Sequence, residues 1–181
     1  PETVLLSSIQ TSEATETGFK IGWSVNSDAV PGISIELSKS EGFDQIEQVF
    51  EEPGQSTGII VKDLQGATKY YYRIMAQTAE GPAFQSPTYH ETTKYTSETV
   101  SILTPDGMTL SARLCYLSYI EDQKPAILFM HELGAFVNNW KSSECVTGLV
   151  ARGYVCLILD FRGHGNSTPI DDLSILINDW S

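Results

Sequence analysis

The chain has 181 residues, of which 41% are hydrophobic and 19% are charged, a composition typical of a folded protein. Lysine and arginine number 11 against 23 aspartate and glutamate residues, so the formal net charge is −12. Because this charge repels phosphate groups, we expect neither nucleic acid nor an anionic membrane surface as a partner. No apolar run approaches the ~20 residues of a membrane-spanning helix, so no transmembrane segment is expected.

The first half of the chain, residues 1–93, is predicted to consist of short strands without a helix. Apolar residues alternate with polar ones in four segments, which are 19–25, 33–37, 59–61 and 70–76. Turn-forming residues such as Pro53 and Gly54 separate these segments. Strands at this spacing predict an antiparallel β sandwich.

One segment of this half carries a more specific pattern. The stretch DLQGATKYYYRIMAQ places Leu64, Thr68, Tyr70, Tyr72, Ile74 and Ala76 at the offsets of a motif that resembles a fibronectin type III domain. The resemblance covers roughly residues 3–93, and Gly66 replaces the usual proline. It implies a sandwich core that contains Trp23, Leu64, Tyr70 and Tyr72, with Tyr70 at a tyrosine corner.

The expected role of this module is that of a spacer or packing domain. Two aromatic side chains, Tyr71 and Tyr89, are expected at its surface, where contact with carbohydrate or protein is the alternative.

The second half follows a short polar linker, residues 94–97. A hairpin is predicted first, with strands near 100–102 and 110–116 joined by the turn Pro105-Asp106-Gly107.

A strand–helix–strand unit is predicted next. The run 126–130 is apolar throughout, which predicts a strand covered on both faces, and a helix is expected over 138–152. A second apolar strand follows in YVCLILDF. Strands joined by one helix should be parallel, so the loops 131–134 and 160–167 should meet at their carboxyl ends.

These loops carry a second resemblance. The sequences FMHELGA and LVARGYVCLILDFRGHGNS look like the N-terminal part of an α/β-hydrolase, over residues 98–181. The matching positions are Arg152, Gly153, Tyr154, Val155, Asp160, Arg162, Gly163, His164, Gly165 and Ser167. The resemblance implies a sheet order of 1-2-4-3-5 and an esterase, dienelactone-hydrolase or serine-peptidase-like branch. The sequence therefore predicts a multidomain chain, an all-β fibronectin III-like sandwich followed by the first strands of an α/β-hydrolase.

The polar loop contains the residue types of a catalytic triad, Asp160, His164 and Ser167. We expect a structural role instead, because a triad needs a base aligned on its nucleophile and nothing in the spacing enforces that. The family resemblance implies the same structural role for His131, Gly134, Asp160, Arg162, Gly163, His164, Gly165 and Ser167. It also implies that the backbone N–H of Leu133 contributes to an oxyanion hole.

The resemblance places the nucleophile on a Gly-x-Ser-x-Gly elbow, which is absent from this sequence. We therefore expect a fragment of a longer protein, cut before the elbow and inactive alone, whose parent is a serine hydrolase acting on ester or other acyl bonds. A small-molecule or peptide acyl substrate is expected for that parent, with no cofactor and no metal. The rival hypothesis is a non-catalytic extracellular binding or adhesion protein that uses the hydrolase-like part as a scaffold.

The sequence gives little information about the role of the cysteines or the cellular compartment of the protein. Cys115, Cys145 and Cys156 lack zinc-ligand spacing and are expected to be small buried hydrophobic residues. A fibronectin-like module favours a secreted or cell-envelope protein over a cytoplasmic one.

Overall fold

The computed structural model describes residues 6–26, 30–78, 81–120, 122–132, 135, 137–140 and 143–171. The contacts of the chain divide it into two compact units, a first unit of residues 1–94 and a second unit of residues 95–181.

The first unit is an all-β sandwich, as predicted. Its strands are β1 (Leu6–Ser12), β2 (Phe19–Val25), β3 (Gly32–Ser38), β4 (Gln48–Pro53), β5 (Gly58–Val61), β6 (Lys69–Thr78), β7 (Gly81–Gln85) and β8 (Tyr89–Thr92). A three-stranded sheet has the order β1-β2-β5, and a larger sheet has the order β4-β3-β6-β7, with β8 paired to β6. All pairings are antiparallel. The four predicted segments correspond to β2, β3, β5 and β6, whereas β1, β4, β7 and β8 were not predicted.

The core of the sandwich follows from the alternation along its strands. Each sheet turns one face inward, so alternate residues of β2 and β6 meet in a single buried cluster. The four residues expected in this core, Trp23, Leu64, Tyr70 and Tyr72, are all buried. The indole Nε1 of Trp23 donates to the carbonyl of Ser56 over 2.6 Å, which satisfies its one polar group. Burial raises the pKa of Tyr72 far above its usual value, so its ring stays neutral.

A tyrosine corner fixes the entry to β6. The hydroxyl of Tyr70 accepts a hydrogen bond of 2.9 Å from the backbone N–H of Gln65. Nearby, the hydroxyl of Thr93 donates to the carbonyl of Gln65 and accepts from the N–H of Thr68. These bonds satisfy backbone groups that the sheets leave unpaired, and they hold the loop before β6 against the end of the unit.

The second unit contains one mixed sheet. Its elements are β9 (Thr96–Leu103), β10 (Thr109–Tyr116), β11 (Ala126–Met130), a 3-10 turn (Val137–Asn139), α1 (Glu144–Ala151) and β12 (Val155–Leu159). The sheet order is β11-β12-β10-β9. The predicted hairpin is confirmed by antiparallel β9 and β10, and β11 and β12 are parallel as predicted. Counted along the chain, the order is 1-2-4-3, which equals the first four positions of the order 1-2-4-3-5 that the resemblance implies.

The predicted helix over 138–152 is too long. Residues 137–139 form a 3-10 turn, and α1 begins only after Ser143, whose side chain accepts from the N–H of Val146 as an N-cap. Trp140 lies before the helix and packs its ring 5.3 Å from that of Phe129. The capping serine within the predicted segment starts the helix later than hydrophobic periodicity indicated.

Two burial predictions for this unit are wrong. Strand β11 is not covered on both faces, since Leu128 and Met130 are 52% and 43% exposed on the same side of the strand. Cys145 is exposed, whereas Cys115 and Cys156 are buried as expected. Cys145 lies in the first turn of α1, beside residues that face solvent, and its neighbour Val146 takes the buried position.

The tyrosine corner can be tested with the Tyr70→Phe variant of the whole chain. Losing the hydroxyl leaves the Gln65 N–H without this acceptor, so we expect the free energy of unfolding of the first unit to fall by roughly 1–2 kcal/mol. Urea denaturation measures the effect. Tyr71→Phe is the matched control, because no hydrogen bond is recorded for its hydroxyl among the described residues, and its stability should stay close to wild type. Equal stability of both variants would contradict the assignment.

Candidate functional site

The two polar loops meet at one edge of the second sheet. They follow β11 and β12, whose carboxyl ends lie side by side because the strands are parallel. His131 joins them, since its Nε2 accepts a hydrogen bond of 3.1 Å from the backbone N–H of Phe161. Its Nδ1 lies 2.8 Å from the carbonyl oxygen of Glu132 and must therefore donate. This buried imidazole has a fixed tautomer, with both nitrogens occupied by backbone groups.

Asp160 is the buried carboxylate of the site, with a side chain only 3% exposed. Its Oδ1 accepts from the backbone N–H of Val137 over 2.6 Å, and its Oδ2 accepts from the N–H of Asn166 over 3.4 Å. Oδ1 also lies 4.0 Å from Nε2 of His131. A buried carboxylate is tolerated only when such donors compensate for the lost water.

The glycines of the loop make room for this carboxylate. Gly165 has a φ of +52°, and a Cβ there would lie 2.1 Å from Oδ2 of Asp160. Gly163 has a φ of +71°, and a Cβ there would meet the side chain of Ile170 at 2.7 Å. Both positions therefore require glycine, for backbone conformation and for space.

The Ser167 hydroxyl is engaged on both sides. It donates to the carbonyl of Asp160 over 2.6 Å and accepts from the N–H of Ser111 over 2.8 Å, and both bonds are buried. The Nδ1 of His164 lies 2.9 Å from the carbonyl of Arg162, and its ring centroid lies 4.9 Å from that of His131. The serine proton therefore points to a backbone carbonyl rather than to an imidazole, which is not the geometry of a triad.

Arg162 ties the loop to the β9–β10 hairpin. Its guanidinium is 3% exposed and donates to both carboxylate oxygens of Asp106, with Nη2 3.1 Å from Oδ1. The Thr104 hydroxyl donates to the same carboxylate over 2.5 Å. The bond from Arg162, and secondly that from Thr104, lowers the pKa of Asp106 to about 2.

The expected oxyanion-hole donor cannot be placed in this geometry. Leu133 and Gly134 lie outside the described residues, whereas their neighbour Glu132 is exposed. Within the described ranges, no group of three or more His, Cys, Asp or Glu side chains is arranged to hold a metal ion. No helix in those ranges is both long and apolar enough to cross a bilayer.

A cavity of about 360 Å³ lies in the second unit, beside the site. Its lining residues are Thr99, Ser111, Ala112, Arg113, Val137, Asp160, Gly165 and Asn166. Sequence reasoning singled out only Asp160 and Gly165 among them. Arg113 could have been found, because a charged residue between Ala112 and Leu114 in a strand in the middle of its sheet is unusual and indicates a candidate site residue.

The aromatic residues expected at the sandwich surface differ from each other. Tyr89 is not an exposed aromatic, because it stacks on the buried Tyr72 with ring centroids 5.6 Å apart. The two residues are directly paired across β6 and β8, which turns both side chains inward. Tyr71 lies on the outer face and contacts His90, with ring centroids 6.0 Å apart.

No family model matches this chain, and no curated protein matches it. Fibronectin type III domains are among the solved structures that are similar to about half of this chain. The chicken CNTN1 FN1-FN3 domains are 18% identical, with a TM-score of 0.45 over 51% of this chain and 32% of that one. This chain thus spans about a third of the length of that structure. The domain derived from human KIAA0970 protein is 18% identical, with a TM-score of 0.42, covering 50% and 73% of the two chains. The fn3 domain of human collagen alpha-1(XX) is 20% identical, with a TM-score of 0.44, covering 49% and 83%.

The Ser167→Ala variant tests the structural role of this hydroxyl. Its removal leaves the buried N–H of Ser111 and the carbonyl of Asp160 without this partner, so we expect the second unit to lose about 2 kcal/mol of stability. Urea denaturation of the variant gives the value. Ser101→Ala, at an exposed position of β9, is the matched control and should change little. A fully stable Ser167→Ala protein would contradict the role.

The Asp106–Arg162 pair predicts a pH dependence. The folded-state pKa of Asp106 is depressed, so the stability that it contributes is present above its ordinary pKa of about 3.8 and is lost as pH falls toward about 2. Urea denaturation between these pH values should therefore show the difference between wild type and Asp106→Asn shrinking as pH falls. The matched control is Asp122→Asn, which removes an exposed carboxylate outside this ion pair. A constant difference for Asp106→Asn would refute the prediction.

Proposed function

We propose that the described part of this chain is a non-catalytic binding protein, in which the sandwich contacts a protein partner and the second unit is a scaffold. The observation that carries this proposal is the outer face of the larger sandwich sheet, where the half-buried rings of Phe43 and Tyr71 and the exposed Val49 lie around an ion pair. The lack of catalysis is supported separately by the polar loop, whose serine and buried histidine are occupied by backbone groups.

The outer face is the side of the larger sheet that points away from the core. Its residues are Glu36 on β3, Phe43 in the loop before β4, Val49 on β4, Tyr71 and Arg73 on β6, and His90 on β8. Arg73 pairs with Glu36 over 2.6 Å, and its guanidinium carbon lies 4.3 Å from the ring centroid of Phe43. Tyr71 lies next to this pair on β6, and Val49 on β4 is directly paired with Glu36 and 54% exposed. Tyrosine, arginine and phenylalanine are enriched in the buried centres of protein interfaces.

A protein fits this face better than a carbohydrate. Sugars are commonly held by aromatic rings that present a free face, and Tyr71 has a tilted contact with His90 at an angle of 54°. The second expected aromatic, Tyr89, is stacked inside the unit. The face is also built on hydrogen-bonded strands, so its backbone is already ordered before a partner binds.

The outer face is tested with the Val49→Ala/Tyr71→Ala double variant. Immobilised wild-type and variant chains are exposed to secreted and surface proteins of the source organism, and the retained proteins are quantified by mass spectrometry. We expect at least one protein to be retained by wild type and reduced at least tenfold with the double variant, since two contact side chains are lost.

Ile60→Ala is the matched control for this experiment. Ile60 is an exposed apolar residue at 57%, but it lies on β5 in the other sheet, so its removal should leave binding intact. Equal retention by wild type and the double variant would overturn the proposed face. Binding of wild type to a glycan array, lost with the double variant, would replace the protein partner by a carbohydrate.

A second candidate function is acyl hydrolysis by a longer polypeptide that contains this chain. It is favoured by the strand order of the second unit and by the meeting of the His131 and Asp160 loops at the ends of β11 and β12. In that case the described residues would supply the scaffold, and a serine on a Gly-x-Ser-x-Gly elbow would attack an ester or other acyl bond.

A fluorophosphonate probe separates these two candidates. The 181-residue chain should not be labelled and should not hydrolyse p-nitrophenyl acetate above background, because its loop serine is a buried hydrogen-bond donor to a carbonyl. Labelling of a longer natural polypeptide at a Gly-x-Ser-x-Gly serine would favour the hydrolase. Labelling of this chain at Ser167 would contradict both accounts of the loop.

A further inference from the structure

The cavity of the second unit is lined by Arg113, an arginine that forms no ion pair within the described part of the chain. Arg113 is partly buried in β10, and its Nε is a buried atom without a hydrogen-bond partner among the described residues. Its Nη1 makes one long contact of 3.4 Å with the hydroxyl of Ser97. The ion pairs found among those residues do not include Arg113. A guanidinium with an unused N–H donor and no ion-pair partner is suited to bind an oxyanion, which can accept two parallel hydrogen bonds from it.

The remaining lining of the cavity is suited to a polar ligand. Thr99, Ser111 and Asn166 contribute two hydroxyls and a carboxamide, for which no hydrogen bond is recorded within the described ranges. Ala112 and Val137 contribute apolar surface. A volume of about 360 Å³ lies at the small end of the range for ligand sites, which suits a compound of a few carbon atoms.

Asp160 restricts the charge of that ligand. It lines the same cavity, and among the described residues the one hydrogen bond found for its Oδ2 is a long bond of 3.4 Å from the N–H of Asn166. A second negative charge on the ligand would be repelled by this carboxylate, whereas a hydroxyl or amino group would find an acceptor in it. The pair of Arg113 and Asp160 therefore favours a monoanion that also carries a hydrogen-bond donor.

We propose that this cavity binds a small monocarboxylate with a hydroxyl or amino substituent, whose carboxylate pairs with Arg113. The cavity belongs to the second unit and the outer face to the first, and occupation of the cavity does not depend on the binding or hydrolytic functions considered above. A bound carboxylate would also supply an acceptor for the buried Nε of Arg113, which has no hydrogen-bond partner among the described residues.

Titration calorimetry of the whole chain with lactate, acetate and succinate tests the proposal, at pH 7 and constant ionic strength set with sodium chloride. We expect saturable lactate binding with a millimolar dissociation constant. Acetate should bind more weakly because it lacks a donor, and succinate more weakly still because its second carboxylate faces Asp160. Succinate that binds as tightly as lactate would overturn the monocarboxylate assignment.

Variants locate the binding. Arg113→Gln should weaken lactate binding at least tenfold. Arg152→Gln makes the same change in charge at the C-cap of α1, at a residue that is not among those lining the cavity, and should leave binding unchanged. Arg113→Lys keeps the charge and should give intermediate affinity, and it also serves if Arg113→Gln does not fold by circular dichroism. The site would be refuted if wild type showed no saturable lactate binding. It would also be refuted if wild type, Arg113→Lys and Arg113→Gln all bound lactate with the same affinity.

Discussion

Buried backbone N–H groups at the carboxyl ends of β11 and β12 are the constraint on which the second unit depends. The strands stop pairing there, but the chain stays out of water, so each N–H needs an acceptor. Three side chains provide one each. His131 accepts from Phe161, Asp160 accepts from Val137, and Ser167 accepts from Ser111. Each bond joins separate segments of the chain, so the two loops and the central strand β10 are held together by the same small set of groups.

This arrangement explains why a loop rich in catalytic residue types lacks catalytic geometry. A serine that donates to a backbone carbonyl has no proton directed at a base, and a histidine with both nitrogens engaged has no free acceptor. The glycines serve the same end, because Gly165 leaves the space that the Asp160 carboxylate occupies. Residue type alone therefore misleads in this loop, and the direction of each hydrogen bond decides its role.

The sandwich uses its two faces differently. Its inner face collects aromatic and aliphatic side chains from both sheets into one core. Its outer face keeps polar and apolar groups together, with Arg73 held between Glu36 and Phe43. An arginine held on both sides is already oriented, so a partner would not have to order it on binding. The corner at Tyr70 lies at the end of this sheet and fixes the strand that carries Tyr71 and Arg73.

The sequence by itself determined the elements whose signal is local. Alternation of apolar residues predicted β2, β3, β5 and β6, and two apolar runs joined by a helix predicted the parallel pair β11 and β12. Short strands such as β4 and β8 escaped prediction, because four to six residues with mixed polarity carry too little periodicity. The start of α1 was misplaced, because a capping serine acts through one hydrogen bond rather than through a pattern.

Only the tertiary structure decided which polar groups meet. The bond between Ser111 and Ser167 joins residues 56 positions apart, and the cavity brings Arg113 of β10 together with Asp160 of the loop after β12. The exposure of Leu128 is equally non-local, since an apolar strand has the same sequence whether or not another element covers it. Local patterns are set by neighbouring residues along the chain, whereas burial and hydrogen-bond partners are set by segments that the fold brings together from far apart.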